Sequence, residues 1–132
     1  MAGIPLVSEY MTTELVTLTP ELEINHAMGV LLDNDISGAP VVDETGAMVG
    51  ILTQKDCLNA AIEASYYRDW GGIVSKYMSR DVETLPAGMD MLAAASAFLR
   101  SRYRRFPVIE NGRLVGQISR ADALRALRDS WP

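Results

Sequence analysis

The chain has 132 residues, 48% of them hydrophobic and 22% charged, enough for one ordinary globular domain. No apolar run approaches the ~20 residues that span a bilayer, and Met1 to Pro5 lacks the basic and apolar stretches of a secretory signal, so a cytoplasmic protein with no membrane partner is expected. The net charge of −5 argues against duplex nucleic acid as the main partner, yet it is uneven: residues 1–66 hold ten acids and one base, residues 67–132 seven acids and eleven bases.

In chain order, the first segment of note is Val7-Ser8-Glu9-Tyr10-Met11, which returns as Val74-Ser75-Lys76-Tyr77-Met78. Leu15 to Leu18 reads as a short strand, and Thr17-Leu18 returns as Thr84-Leu85. Thr19-Pro20-Glu21 carries helix-start chemistry: a hydroxyl cap, a first-turn proline and an acid at the positive end of the dipole. Ile24, Ala27, Met28, Leu31 and Leu32 follow at helical spacing, matched by Met91, Ala94, Ala95, Phe98 and Leu99, and predict one core-facing stripe in each copy. Ala39 to Val42 and Met48 to Leu52 predict a hairpin through Glu44-Thr45-Gly46. Its counterpart closes through Asn111-Gly112, a strong two-residue hairpin signal. A closing helix is expected from near Asp56 toward Tyr66, and another from about Asp122 to Leu127. Asp69-Trp70-Gly71-Gly72 breaks the first and links the copies.

These matches share one offset until the turn after Val42, where the second copy is a residue shorter. A single indel at a turn is what duplication of a folded unit leaves. The expected organisation is a first repeat over residues 1–66, a linker over 67–73 and a second repeat over 74–132. The fold class is α+β, with two β-α-β-β-α repeats packed as one pseudo-two-fold symmetric module, since a unit of about sixty residues buries little surface alone.

Enzyme chemistry finds no purchase in these residues. The one histidine, His26, has no cysteine or second histidine near it for a zinc site, so no metal is expected. The one cysteine, Cys57, follows Asp56 at a helix start, where the dipole lowers a thiol pKa, but the second copy has Ala123 there and packing explains it as well. No glycine-rich phosphate loop and no nucleophile–base pair stands out, so no catalytic residue or catalytic cofactor is assigned.

What does repeat is Gly50-Ile51-Leu52-Thr53-Gln54-Lys55-Asp56 and Gly116-Gln117-Ile118-Ser119-Arg120-Ala121-Asp122, at a strand-to-helix junction. Glycine allows close approach of a ligand to backbone, a hydroxyl with leading helix N–H groups can hold an anion, and a carboxylate can accept both hydroxyls of a ribose diol. The same residues equally make a helix capping box with no ligand at all.

The two copies resemble CBS domains, the family named after cystathionine β-synthase. The resemblance runs from about Val7 to Ala126. It rests on Tyr10-Met11-Thr12 and Tyr77-Met78-Ser79, on Ala39-Pro40-Val41-Val42 and Phe106-Pro107-Val108-Ile109, and on the glycine-to-aspartate segments. It implies a regulatory module with a central cleft for adenosine-containing ligands: AMP, ADP, ATP or S-adenosylmethionine. It also implies that Asp56 and Asp122 grip ribose hydroxyls, with Thr53 and Ser119 near phosphate. The segments around Val16-Thr17 and Glu83-Thr84, with Gly38-Ala39 and Arg105-Phe106, would line the adenine pockets. Arg104 and Arg105 match a basic phosphate position that holds Ser37 and Gly38 in the first copy, so one phosphate-rich and one weaker site are expected. The resemblance further implies a homodimer through the closing helices and a regulated protein partner acting in trans. The rival expectations are a ligand-free dimerisation scaffold and, further off, a nucleic-acid binder using the arginine cluster.

Overall fold

A computed structural model describes residues 3–68 and 71–131 as mixed helix and strand. Asp69 and Trp70, in the expected linker, lie outside the described residues. The chain divides into a unit of residues 16–82 and a unit that joins residues 1–15 to residues 83–132. Each has its own cluster of buried apolar side chains.

The 16–82 unit carries helices α2 (Ile24–Asp33), α3 (Gln54–Tyr67) and α4 (Val74–Tyr77), with strands β1 (Gly38–Val42) and β2 (Met48–Thr53) paired antiparallel. The 83–132 unit carries α1 (Val7–Tyr10), α5 (Met91–Arg100) and α6 (Arg120–Ser130), with strands β3 (Leu85–Pro86), β4 (Arg105–Glu110) and β5 (Arg113–Ser119). Its sheet order is β3-β4-β5, with β3 parallel and β5 antiparallel to β4. Both expected hairpins form. Asn111 and Gly112 sit at φ of 52° and 76°, the left-handed pair that a two-residue turn between twisted strands requires.

The first expected strand shrinks. Residues 15–17 belong to no strand, and only Leu18 bridges to Val41, donating to Pro40 O at 2.9 Å. In the other unit Ala87 N donates to Ile109 O at 3.1 Å and lengthens the pairing. The position matching Ala87 is Pro20, which has no N–H to donate. The first helix also starts later than its cap signal, at Ile24 instead of Thr19. The carbonyls of Pro20 and Leu22 are taken by Ser75 N (3.0 Å) and Val74 N (2.8 Å), which holds 19–22 as a turn.

On α2 and α5 most of the expected stripe is buried: Ile24, Ala27 and Leu31 on one, Met91, Ala94 and Phe98 on the other. Leu32 and Leu99 are exposed at 63% and 88%, because one residue beyond Leu31 or Phe98 lies 100° round the helix.

The opening turns dock crosswise in sequence. Helix α1 packs into the 83–132 unit, with Val7 N on Met89 O at 2.8 Å and a bridge between Thr12 and Gln117. Helix α4 does the same in the 16–82 unit through a bridge between Ile51 and Ser79. Val7 and Val74 are both fully buried, worth about 1.5–3 kcal/mol each in transfer free energy.

Candidate functional site

The strand-to-helix junctions are built alike in the two units. Thr53 closes β2 in extended geometry and caps α3; Ser119 closes β5 and caps α6. In the first, Asp56 N donates to Thr53 Oγ1 at 3.2 Å, while Thr53 N and Oγ1 donate to Asp56 Oδ2 at 2.9 and 3.0 Å. In the second, Asp122 N donates to Ser119 Oγ at 3.1 Å and Ser119 N donates to Asp122 Oδ2 at 2.9 Å. One oxygen of each carboxylate is thus spent on the cap, which fixes the direction of the other. Among the described residues nothing donates to Asp56 Oδ1. Asp122 Oδ1 accepts from Arg125 at 2.5 Å.

The leading helix N–H groups are less available than expected. Gln54 N donates to Ser37 O at 2.8 Å and Arg120 N to Arg104 O at 3.0 Å. With the aspartate N–H also in its cap, an anion at the helix start meets mainly the backbone of Lys55 or Ala121, so the dipole alone makes a poor phosphate seat here. The glycines serve packing instead of ligand approach. A Cβ on Gly50 would lie 2.8 Å from both Met78 Sδ and Ser79 O, and one on Gly116 would lie 2.5 Å from Met11 Sδ. Each glycine makes room for an opening turn.

Around these junctions Gly38 pairs with Thr53 and Arg105 with Ser119, at equivalent places in the two hairpins. Val16 and Gly38 are half-buried and Thr17 is exposed, while the Ala39 side chain is fully buried, which leaves that residue only backbone to offer. Arg104 and Arg105 are both exposed at the start of β4. In the 83–132 unit Thr84 and Phe106 come together in a cavity of about 210 Å³, with Glu83, Leu85, Ala97, Arg100 and Ser101. Pockets for whole drug-sized ligands run to roughly 300–1,000 Å³, so this one has room for only a fragment of such a ligand. Phe106 is only 2% exposed and packs against Phe98 in a tilted pair and Tyr103 in an edge-on pair, at 4.9 and 5.6 Å between centroids, so it offers a rigid wall. Arg100 and Ser101 were missed as cavity residues, because a helix-end arginine reads as solvated charge.

Cys57 is buried, and burial, reinforced by the charge of Asp56, pushes its thiol up in pKa. The lowering that a helix start offers is overridden, and the residue packs. His26 is exposed on α2, and among the described residues no group of acidic, histidine or cysteine side chains could hold a metal ion. None of the described helices is long and apolar enough to cross a membrane.

A CBS domain model matches residues 7–63 and again residues 74–129. The chain belongs to the CBS domain family. As a tandem CBS pair it is 29% identical over 125 residues to the uncharacterized protein MJ1225 of Methanocaldococcus jannaschii, covering 95% of this chain and 44% of that one. The CBS pair CBSX2 of Arabidopsis thaliana, solved in complex with AMP, is 24% identical with a TM-score of 0.79 over 94% of this chain and 96% of that one. The CBS domain pair of MJ0100, solved with 5′-methylthioadenosine and S-adenosyl-L-methionine, is 24% identical with a TM-score of 0.75, covering 98% and 100%. At these identities the two structures establish the α+β fold of the CBS pair.

Proposed function

We propose that this CBS pair is a regulatory module that binds an adenosine-containing ligand, AMP, ADP or ATP foremost, and passes the bound state to a partner protein. Each sequence repeat, 1–66 and 74–132, supplies one strand-to-helix junction. The observation that carries the reading is the pair of cap-fixed carboxylates, Asp56 and Asp122, each aiming one oxygen away from its cap. A fixed acceptor of this kind suits the two hydroxyls of a ribose. Thr84 and Phe106, at the cavity in the 83–132 unit, would take the adenine there; Val16, Thr17, Gly38 and Ala39 would do so in the other unit. Ser119 and Thr53 stand near the phosphates, with Arg104 and Arg105 as guanidinium partners for them. The ligands named in the CBSX2 and MJ0100 structures support the adenosine part of the reading. In this role the module senses its ligand and does not turn it over. Binding shifts the population between two states of the module, and the partner reads the shift.

Exposed leucines favour a second, compatible role. Leu32, Leu58 and Ile62 on α2 and α3, and Leu99 and Leu124 on α5 and α6, are 61–88% exposed. A second copy of the chain is the proposed cover for these faces, which gives a homodimer.

Thermal melting against AMP, ADP, ATP, S-adenosylmethionine and GTP tests the reading. A ligand at 100 times its Kd stabilises by about 2.7 kcal/mol, a rise of several degrees. The expected result is a rise with adenine nucleotides that Asp56→Ala or Asp122→Ala diminishes, beyond the ~1 kcal/mol that loss of a cap costs unliganded protein. No rise with any of them in folded protein would sink nucleotide sensing and leave the dimerisation scaffold as the better account.

A further inference from the structure

The two carboxylates differ in one respect. Asp122 Oδ1 is held by the Arg125 guanidinium at 2.5 Å, whereas the residue matching Arg125 is Asn59, which is exposed and makes no bond to Asp56. The Asp122 side chain is only 12% exposed while that of Arg125 is 51% exposed. The guanidinium therefore covers the oxygen that a ribose would need, and its own outer side faces water.

We infer that Arg125 makes the junction of the 83–132 unit selective for phosphorylated over unphosphorylated adenosine ligands, by holding Asp122 until an anion draws the guanidinium away. This rests on the adenosine-binding reading above. A neutral nucleoside displaces Arg125 by exchanging a charge-assisted bond for hydroxyl bonds and leaves the guanidinium unpaired. A nucleotide brings its own anion, so Arg125 trades one partner for another while the diol takes Asp122. A long, half-exposed side chain can make that swing at small packing cost.

The surrounding charges point the same way. Where the 83–132 unit has Arg100, Arg102, Arg104, Arg105 and Arg120, the 16–82 unit has Asp33, Asp35, Ser37, Gly38 and Gln54 in turn. Arg120 is held beside the site, its Nε donating to Tyr103 O at 3.1 Å. The 16–82 junction thus lacks the gate and those five arginines, its one cation in the first turn of α3 being the exposed Lys55 where the other unit has Ala121, and it accepts a ribose whether or not phosphate is attached.

The test is calorimetric titration of AMP and adenosine into the full chain carrying Asp56→Ala, so that only the Asp122 junction reports, with and without Arg125→Asn. The preference for AMP over adenosine should fall by about tenfold, chiefly because adenosine tightens; a half-exposed ion pair sets that scale. An unchanged preference, or adenosine binding that weakens, overturns the gate while leaving the adenosine-binding reading in place. Failure of both ligands to bind the unmutated folded chain overturns both. The converse variant, Asn59→Arg in an Asp122→Ala chain, should raise the AMP preference of the other junction, and it decides the matter even if Arg125→Asn folds poorly. No rise there counts against the gate.

Discussion

At the residue scale, Gly50 and Gly116 show how one spacing can carry two meanings. Their place at the head of a glycine-to-aspartate segment suggests contact with a ligand, yet their missing side chains accommodate Met78 and Met11. Gly50→Ala should cost about 1–3 kcal/mol, since the backbone oxygen of Ser79 sits only 2.8 Å from the new Cβ and cannot swing aside as a methionine can. Gly88→Ala, with nothing within 4 Å of its Cβ, should be neutral or slightly stabilising. Urea unfolding of the two variants checks this, and equal effects would refute the packing role. The capping boxes of Thr53–Asp56 and Ser119–Asp122 were legible because every partner lies within three residues. The bonds from Gln54 and Arg120 to Ser37 and Arg104 were not, because strand pairing brings those carbonyls in from 16 or more residues away. Arg125 lay within a local window too, but an arginine three residues after an aspartate reads as ordinary helix-surface charge.

At the element scale, the hairpins and the two long helices of each unit follow from alternation, from Asn111-Gly112 and from the apolar stripe. What the pattern could not carry was the fate of Val7–Tyr10 and Val74–Tyr77. Four residues are too few for a helical period, and their bonds run to backbone more than 30 residues distant in the case of α1. Pro20 likewise looked like a helix start, and its missing N–H instead cut short a strand. The docking of α1 makes a direct prediction. Removing residues 1–12 uncovers Gly116 and deprives the amide of Gln117 of its acceptor, Thr12 O at 2.9 Å. Amide exchange at Gln117 should then accelerate by an order of magnitude or more, as it would for a local opening worth ~1.4 kcal/mol, while Ser79, bonded to Ile51 O in the other unit, keeps its protection. Unchanged protection at Gln117 would mean that the opening turn contributes little.

At the scale of the whole molecule, duplication was the clearest signal in the chain, and it led to the family through residues that repeat at one offset. The family matches at residues 7–63 and 74–129 follow the repeats as they run in sequence, whereas the compact units begin at residues 16 and 83 and borrow their opening turns across that boundary. Each unit is therefore closed by chain that belongs, in sequence, to a different repeat segment. The uneven charge of the two halves, plain in composition, reappears at matched positions, where Arg100 and Arg102 of one unit stand in place of Asp33 and Asp35 of the other. The central claim is that Asp56 and Asp122 are the anchors for an adenosine ligand. Isothermal titration of AMP into the unmutated chain and into the Asp56→Ala/Asp122→Ala double variant, both confirmed folded, tests it most directly. The account predicts saturable binding by the first and at least a tenfold loss by the second. Silence from the unmutated chain, or undiminished binding by the double variant, would contradict it.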